Sequence, residues 1–329
     1  MKKIVLISNN NLDSFGFHLS NSFKNSNNNL ILIDYYKYKT KILRFLMRVI
    51  PFKYNLIAKS QIKNIIKLNP DFVITTYKDI KSEYWNKLKA NGIYIVSINP
   101  DHMGTLGNQH ILASIFDLYL VKCRTMYSQL LNKSELNVVL YNEAVDLSIM
   151  KLNNQVTKKW DITFIGSMYP YRLLFINSFL KHLKNDYKIK FFGGYHSTTD
   201  QMLKNLNLDI NIESPIFLEK KNEIINESKV VINLMHINEI DSSNAKFPEI
   251  MATGTMQLID FNSHLAKEMD QSFLDLFCFS SSKECSIKTE KIIENYTNYH
   301  NLWSSYLINY SKKNSYSKLV NIILNNIKL

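Results

Sequence analysis

The sequence predicts an α/β protein built from two doubly wound parallel sheets. Three observations carry that expectation. Short apolar runs recur along the chain, helix-length segments separate them, and one polar, non-periodic stretch over Lys151–Lys159 divides them into two sets. An apolar run without alternation marks a strand buried on both faces, and strands alternating with helices cross over into parallel sheets.

In the first half the runs are Ile4–Ile7, Leu30–Ile33, Phe72–Ile74, Tyr94–Val96 and Leu118–Val121, with Val138–Leu140 as a further candidate. In the second half they are Ile162–Ile165, Ile189–Phe192, Val230–Leu234 and Met256–Ile259, and the chain from Ser281 onward reads as helix. These sets place one Rossmann-like domain at 1–152 and another at 153–305. With 329 residues, 46% of them hydrophobic, the chain has enough apolar side chains for two separate cores.

The balance of 40 basic and 28 acidic residues leaves a net charge of +12, which points to anionic partners: nucleic acid, acidic lipid or phosphorylated substrates. Cys123, Cys278 and Cys285 have no metal-ligand or redox spacing and read as buried free thiols of a reducing compartment. The run after Met1 is too short for a secretory signal, and no window is apolar over the length that a spanning helix needs. A cytoplasmic protein is expected, with membrane contact confined to the inner surface.

Ligands of open α/β sheets sit beyond the carboxyl ends of the strands. The loops to watch are therefore Ser8–Phe17, Asn99–Asn108, Gly166–Arg172, Gly193–Thr199, His236–Glu249 and Thr253–Thr255. The segment Ser243–Asp260 reads as a polar loop, a short helix opened by Pro248, a stop at Gly254 and a buried strand. Proline suits a first helical turn and glycine the left-handed position after a helix end. A helix start gathers free N–H groups and a positive dipole end, which favours phosphate. Lys246 adds a cation there, and Glu249 an acceptor for sugar or ribose hydroxyls. That combination suggests a site for a nucleotide-sugar diphosphate donor, and Gly254 with Thr255 after it joins the candidate donor-binding residues.

Gly166 and Ser167 follow the first strand of the second domain. Glycine lets backbone approach a ligand, the serine hydroxyl can bond phosphate, and Arg172 lies one turn into the next helix. The plain alternative is a strand-ending turn with a solvated arginine. His236, after the Val230–Leu234 strand, is a candidate diphosphate contact. In the first domain Asp101 is a candidate base for an acceptor hydroxyl and His102 a contact to the donor sugar, since both residue types suit proton transfer. An Asx-type turn at Asp101 is the competing reading.

The pattern Asn-x-basic-x-x-Glu followed by Ala-x-Gly-x-x-Gln-Leu-x-Asp, over Asn244–Asp260, is similar to the CgeB-like group of GT-B glycosyltransferases. So is the block Trp160–Arg172, which resembles that group's Asp-x-x-Phe-x-Gly-Ser-x-x-x-x-Arg signature. A weaker likeness covers Asn69–Thr75 and Val96–Asp101. The family usually has arginine where this chain has Lys246, which meets a diphosphate as a point charge without the bidentate fork.

The resemblance implies a GT-B fold with two Rossmann-like domains facing across a cleft and a C-terminal helix, 306–329, packing back toward the first. It implies a nucleotide-diphosphate sugar as co-substrate and a glycan, lipid-linked or protein acceptor. Cell-surface polysaccharide, glycolipid or glycoprotein synthesis is the implied setting. Glu249 would take the ribose and Asp241, eight residues earlier, the donor sugar, an arrangement like that of many retaining members; Glu239 competes with Asp241. The nucleobase is expected on backbone near Ser214–Ile216, with Ile216 against it. No Asp-x-Asp on a strand end, phosphate-binding glycine motif or His/Cys cluster is present, so no cofactor and no metal are expected.

Between Asp34 and Asp71 the chain carries nine basic residues and no acid, and Lys41–Ile50 sets Lys41, Arg44 and Arg48 on one helical stripe beside an apolar face. That pattern suits an anionic membrane surface, or equally a helix buried in the first domain. A degenerate GT-B protein of a surface or coat assembly is the alternative function. A nucleic-acid binder is a third, but recognition motifs and interleaved aromatics are missing, so no nucleic-acid partner is expected.

Overall fold

The computed structural model describes residues 2–34, 52–76, 82–100, 115–134 and 136–327. The chain forms two compact units, Met1–Asn142 together with Tyr316–Leu329, and Glu143–Ser315.

The first unit runs β1 (Lys3–Ile7), α1 (Phe15–Asn25), β2 (Asn29–Ile33), α2 (Phe52–Leu68), β3 (Phe72–Thr75), α3 (Ser82–Ala90), β4 (Tyr94–Asn99), β5 (Leu118–Val121), α4 (Arg124–Ser134) and β6 (Val138–Leu140). All pairings are parallel, in the order β2-β1-β3-β4-β5-β6. Val5, Val73, Ile95 and Tyr119 are fully buried along its centre. Each predicted strand of this half is present, because each is an apolar run with no polar face to offer water.

The second unit begins with β7 (Trp160–Ile165), α5 (Pro170–His182), β8 (Ile189–Phe192), α6 (Thr199–Leu206), β9 (Ile212–Glu213) and α7 (Leu218–Asn226). It continues with β10 (Ser228–Asn233), α8 (Lys246–Thr253), β11 (Met256–Asp260), α9 (Ser263–Glu268), α10 (Gln271–Phe277), β12 (Cys278–Phe279), α11 (Ser282–Glu294) and α12 (Tyr296–Lys313). Its sheet is also parallel, ordered β12-β11-β10-β7-β8-β9. The edge strands β9 and β12 were not foreseen; two residues are too few to leave a pattern. A final helix, α13 (Tyr316–Asn326), packs on α1 in the first unit, where Tyr316 stacks on His18 at 5.3 Å.

Numbered from its own first strand, the second sheet has the order 3-2-1-4-5-6, and the connections change direction between β7 and β10. In the first sheet they change between β1 and β3. Such switch points open a crevice at the carboxyl ends of the two strands, where ligands of this fold class sit. Cys123, Cys278 and Cys285 are all buried and free. Among the described residues, no helix is long and apolar enough to cross a membrane.

Candidate functional site

The β7/β10 switch point is built around Gly166. Its φ of +139° lies in the region that favours glycine, and a Cβ there would meet Arg172 Nη1 at 2.9 Å and Lys246 Nζ at 3.0 Å. Gly193 is equally constrained, since a Cβ on it would lie 2.0 Å from the Gly166 carbonyl oxygen. The two loops lock together: Gly166 N–H donates to Phe192 O at 2.8 Å and Met168 N–H to Gly194 O at 3.0 Å. Pro170 then opens α5 at its first turn, the position where a missing N–H costs nothing.

Arg172 is buried and clamps this crevice. Its Nη1 donates to Ser167 O and its Nη2 to Leu234 O, both at 2.9 Å, tying the end of β7 to the end of β10. The guanidinium lies 5.5 Å from the ring centroids of both Tyr169 and Tyr171, within range for cation–π attraction. His236 meets Tyr169 edge-on at 5.2 Å, and His196 lies 4.2 Å from Tyr169. The serine of this loop, Ser167, is half-buried beside Gly194.

Lys246 starts α8, two residues before Pro248, so the helix opens earlier than the proline signals. Asn244 Oδ1 accepts the Phe247 N–H at 3.1 Å, taking one of the exposed helix-start donors. Lys246 is half-buried, but its ammonium lies against Gly166 and Arg172. Desolvation first, and the Arg172 charge second, push it down to about 7. Asp260, at the end of β11, accepts the Met235 N–H at 2.7 Å, and burial raises its carboxyl above the usual range. Glu249 is buried in an ion pair with Lys221 of α7, Oε1 to Nζ 2.6 Å. Its Oε2 has no hydrogen-bond partner among the described residues.

The structure thus gathers Gly166, Ser167, Arg172, His236 and Lys246 around one crevice, with Glu249 on the first turn of the same helix as Lys246. Asp241 is buried and accepts from Ser263 Oγ at 3.0 Å and from Lys267 Nζ at 2.8 Å. Ile216 is half-buried between β9 and α7. Gly254 and Thr255 lie at the opposite end of α8, roughly 12 Å along an eight-residue helix. Gly254 adopts the left-handed conformation expected of a helix stop, with φ +74°. Asp101, His102 and Lys41–Ile50 lie outside the described residues.

Four neighbours of the crevice escaped sequence reasoning: Lys221, Asp260, Tyr169 and His196. Asp260 carried a usable signal, an acid directly after a buried apolar run at a carboxyl end. Lys221 carried none, because its helix shows an ordinary amphipathic pattern in which a lysine reads as solvated.

A fixed pair of cations at a switch point, one clamped and one easily deprotonated, suits a dianionic group that needs charge but little reorganisation. Solved structures share this architecture. Anabaena HepE in complex with UDP-glucose superposes with a TM-score of 0.71 at 9% identity, over 99% of this chain and 100% of that one. The chain has the GT-B fold. Sucrose-phosphate synthase from Thermosynechococcus elongatus superposes with a TM-score of 0.69 at 10% identity, over 99% of this chain and 98% of that one. The lipopolysaccharide outer core galactosyltransferase WaaB does so with a TM-score of 0.61 at 13% identity, over 99% and 100%. No protein-family model and no curated protein sequence matches the chain.

Proposed function

We propose that this protein is a glycosyltransferase that moves a sugar from a nucleoside-diphosphate donor to a hydroxyl acceptor. One observation carries the reading: Arg172 and Lys246 converge on a glycine whose missing Cβ makes room for both cations, at the switch point of a Rossmann-ordered sheet. In the reaction the acceptor oxygen bonds to the anomeric carbon, the bond from that carbon to the diphosphate oxygen breaks, and the acceptor proton leaves to a base. Negative charge builds on the departing diphosphate, where the two cations act. Asp101 is the proposed base and His102 a donor-sugar contact, with no metal in the step. The CgeB-like motifs support a place in surface glycan, glycolipid or glycoprotein assembly.

UDP sugars head the donor candidates, since HepE is complexed with UDP and UDP-glucose. Glu249 Oε2 is the proposed ribose contact and the backbone at Ile216 the base contact. A retaining outcome rests on the Asp241/Glu249 spacing, and product NMR would read it. A thermal-shift panel of UDP, GDP, CMP and dTDP sugars tests donor binding. Arg172→Ala and Lys246→Ala should each lower kcat/KM on the order of 100-fold, the scale of losing one fixed donor to a developing anion. Normal turnover in both variants would overturn the mechanism, and binding with neither transfer nor hydrolysis would favour the degenerate-fold alternative.

A further inference from the structure

The other end of α8 borders a cavity of about 250 Å³, lined in part by Asn153, Lys158, Gly254, Tyr296, His300 and Ser304. That is well beyond the 10–15 Å³ or so that one water requires. No aspartate or glutamate is among its lining residues, while Lys158 and His300 both are. Lys158 Nζ donates to Asn226 O at 2.8 Å and lies 3.5 Å from Thr255 Oγ1, which leaves an ammonium proton over. The Tyr296 ring stacks on His300 at 5.6 Å. The Tyr296 hydroxyl is shielded from solvent and has no hydrogen-bond partner among the described residues.

We propose that this cavity is a second ligand site, taking a compact small molecule that carries a phosphate or carboxylate group. Lys158 and His300, with no acid among the lining residues, make an anion the complementary charge. The electrostatics agree. Burial lowers Lys158 to about 8, and burial together with the Lys158 charge holds His300 below its usual value; an anion between them would relieve that repulsion. The site is separate from the donor crevice, because Lys158 precedes β7 and Gly166 follows it, a six-residue strand of roughly 20 Å. Gly254 is among its lining residues, and Thr255 Oγ1 lies behind Lys158.

The competing explanation is that Lys158 serves only to cap the Asn226 carbonyl. Calorimetric titration of the full chain with inorganic phosphate, glycerol 3-phosphate and citrate separates the two, and the probes separate phosphate from carboxylate. At least one probe should bind saturably. Ser304→Phe, which fills the cavity and leaves the Lys158–Asn226 bond in place, should weaken that binding tenfold or more, about 1.4 kcal/mol. His300→Leu should do the same, whereas Lys246→Ala should leave it within about twofold. Silence from all three probes at tens of millimolar, undiminished binding in Ser304→Phe, or loss in Lys246→Ala would overturn the proposal. Because Lys246→Ala addresses the donor crevice alone, failure here leaves the transferase reading standing, and the reverse holds too.

Discussion

The two sheets share a class but differ at their switch points. In the first unit the loop after β1 is tied by hydroxyl, amide and carboxylate groups. Ser8 Oγ bonds Thr76 Oγ1 at 2.7 Å, Ser14 Oγ donates to Asn9 O at 2.9 Å, and Asn10 N–H reaches Asp34 Oδ2 at 3.3 Å. In the second unit the crevice between β7 and β10 holds Arg172 and Lys246, with Asp260 close by. Backbone topology alone would make either crevice a ligand site. Among the described residues, charge tells them apart: Arg172 and Lys246 line the second, whereas hydroxyls and the carboxylates of Asp13 and Asp34 surround the first.

The largest effect that would break this comparison lies at Gly166. Gly166→Val places carbon within about 3.0 Å of both cations and forces a branched residue to φ +139°. Strain on the order of 1–3 kcal/mol is expected, and displaced cations should cost at least about 100-fold in donor affinity. Retained UDP binding by calorimetry would show that the crevice is not the donor site. Next comes the pair beneath it. Lys221→Met strands Glu249 in a buried place, and breaking such a pair costs about 3–5 kcal/mol by denaturant unfolding. Lys221→Met with Glu249→Leu should recover most of that; a double variant as unstable as the single would refute pairing as the cause.

Lys246 sharpens the contrast through pH. Its ammonium titrates near 7 in the free protein, and a bound diphosphate raises that value. Binding above pH 7 must therefore take up a proton, and affinity should fall by as much as tenfold per unit as pH rises from about 7 toward the bound-state value. Calorimetry at pH 8 in buffers of different ionisation enthalpy should return close to one proton gained in the wild type and none in Lys246→Met. The smallest effect belongs to the first unit. Ser8→Ala removes the Thr76 bond at a cost of about 1 kcal/mol, and the Kd for UDP should stay within error of wild type. A shift in that Kd would mean that the two crevices do not act separately.

Much of this protein was legible in one dimension. Every long central strand is an apolar run, because a strand covered on both faces has no position that tolerates water. The loops that matter follow from the rule about carboxyl ends, and Gly166, Arg172 and Lys246 stood out as residues whose chemistry fits phosphate. What tertiary structure alone decided are the meetings. Lys221 and Glu249 are 28 residues apart and read singly as a surface lysine and a first-turn acid; only packing of α7 beside α8 makes them a buried pair. Asp241 has the spacing of a sugar-binding acid, and its contacts with Ser263 and Lys267, 22 and 26 residues later, leave no trace in that spacing. Gly254 and Thr255 shared a motif with Lys246, but the rise of a helix carries them to its other end. Local pattern dictates which residues are buried and which way a strand runs, whereas a pairwise charge contact depends on distance in space, which sequence separation does not encode.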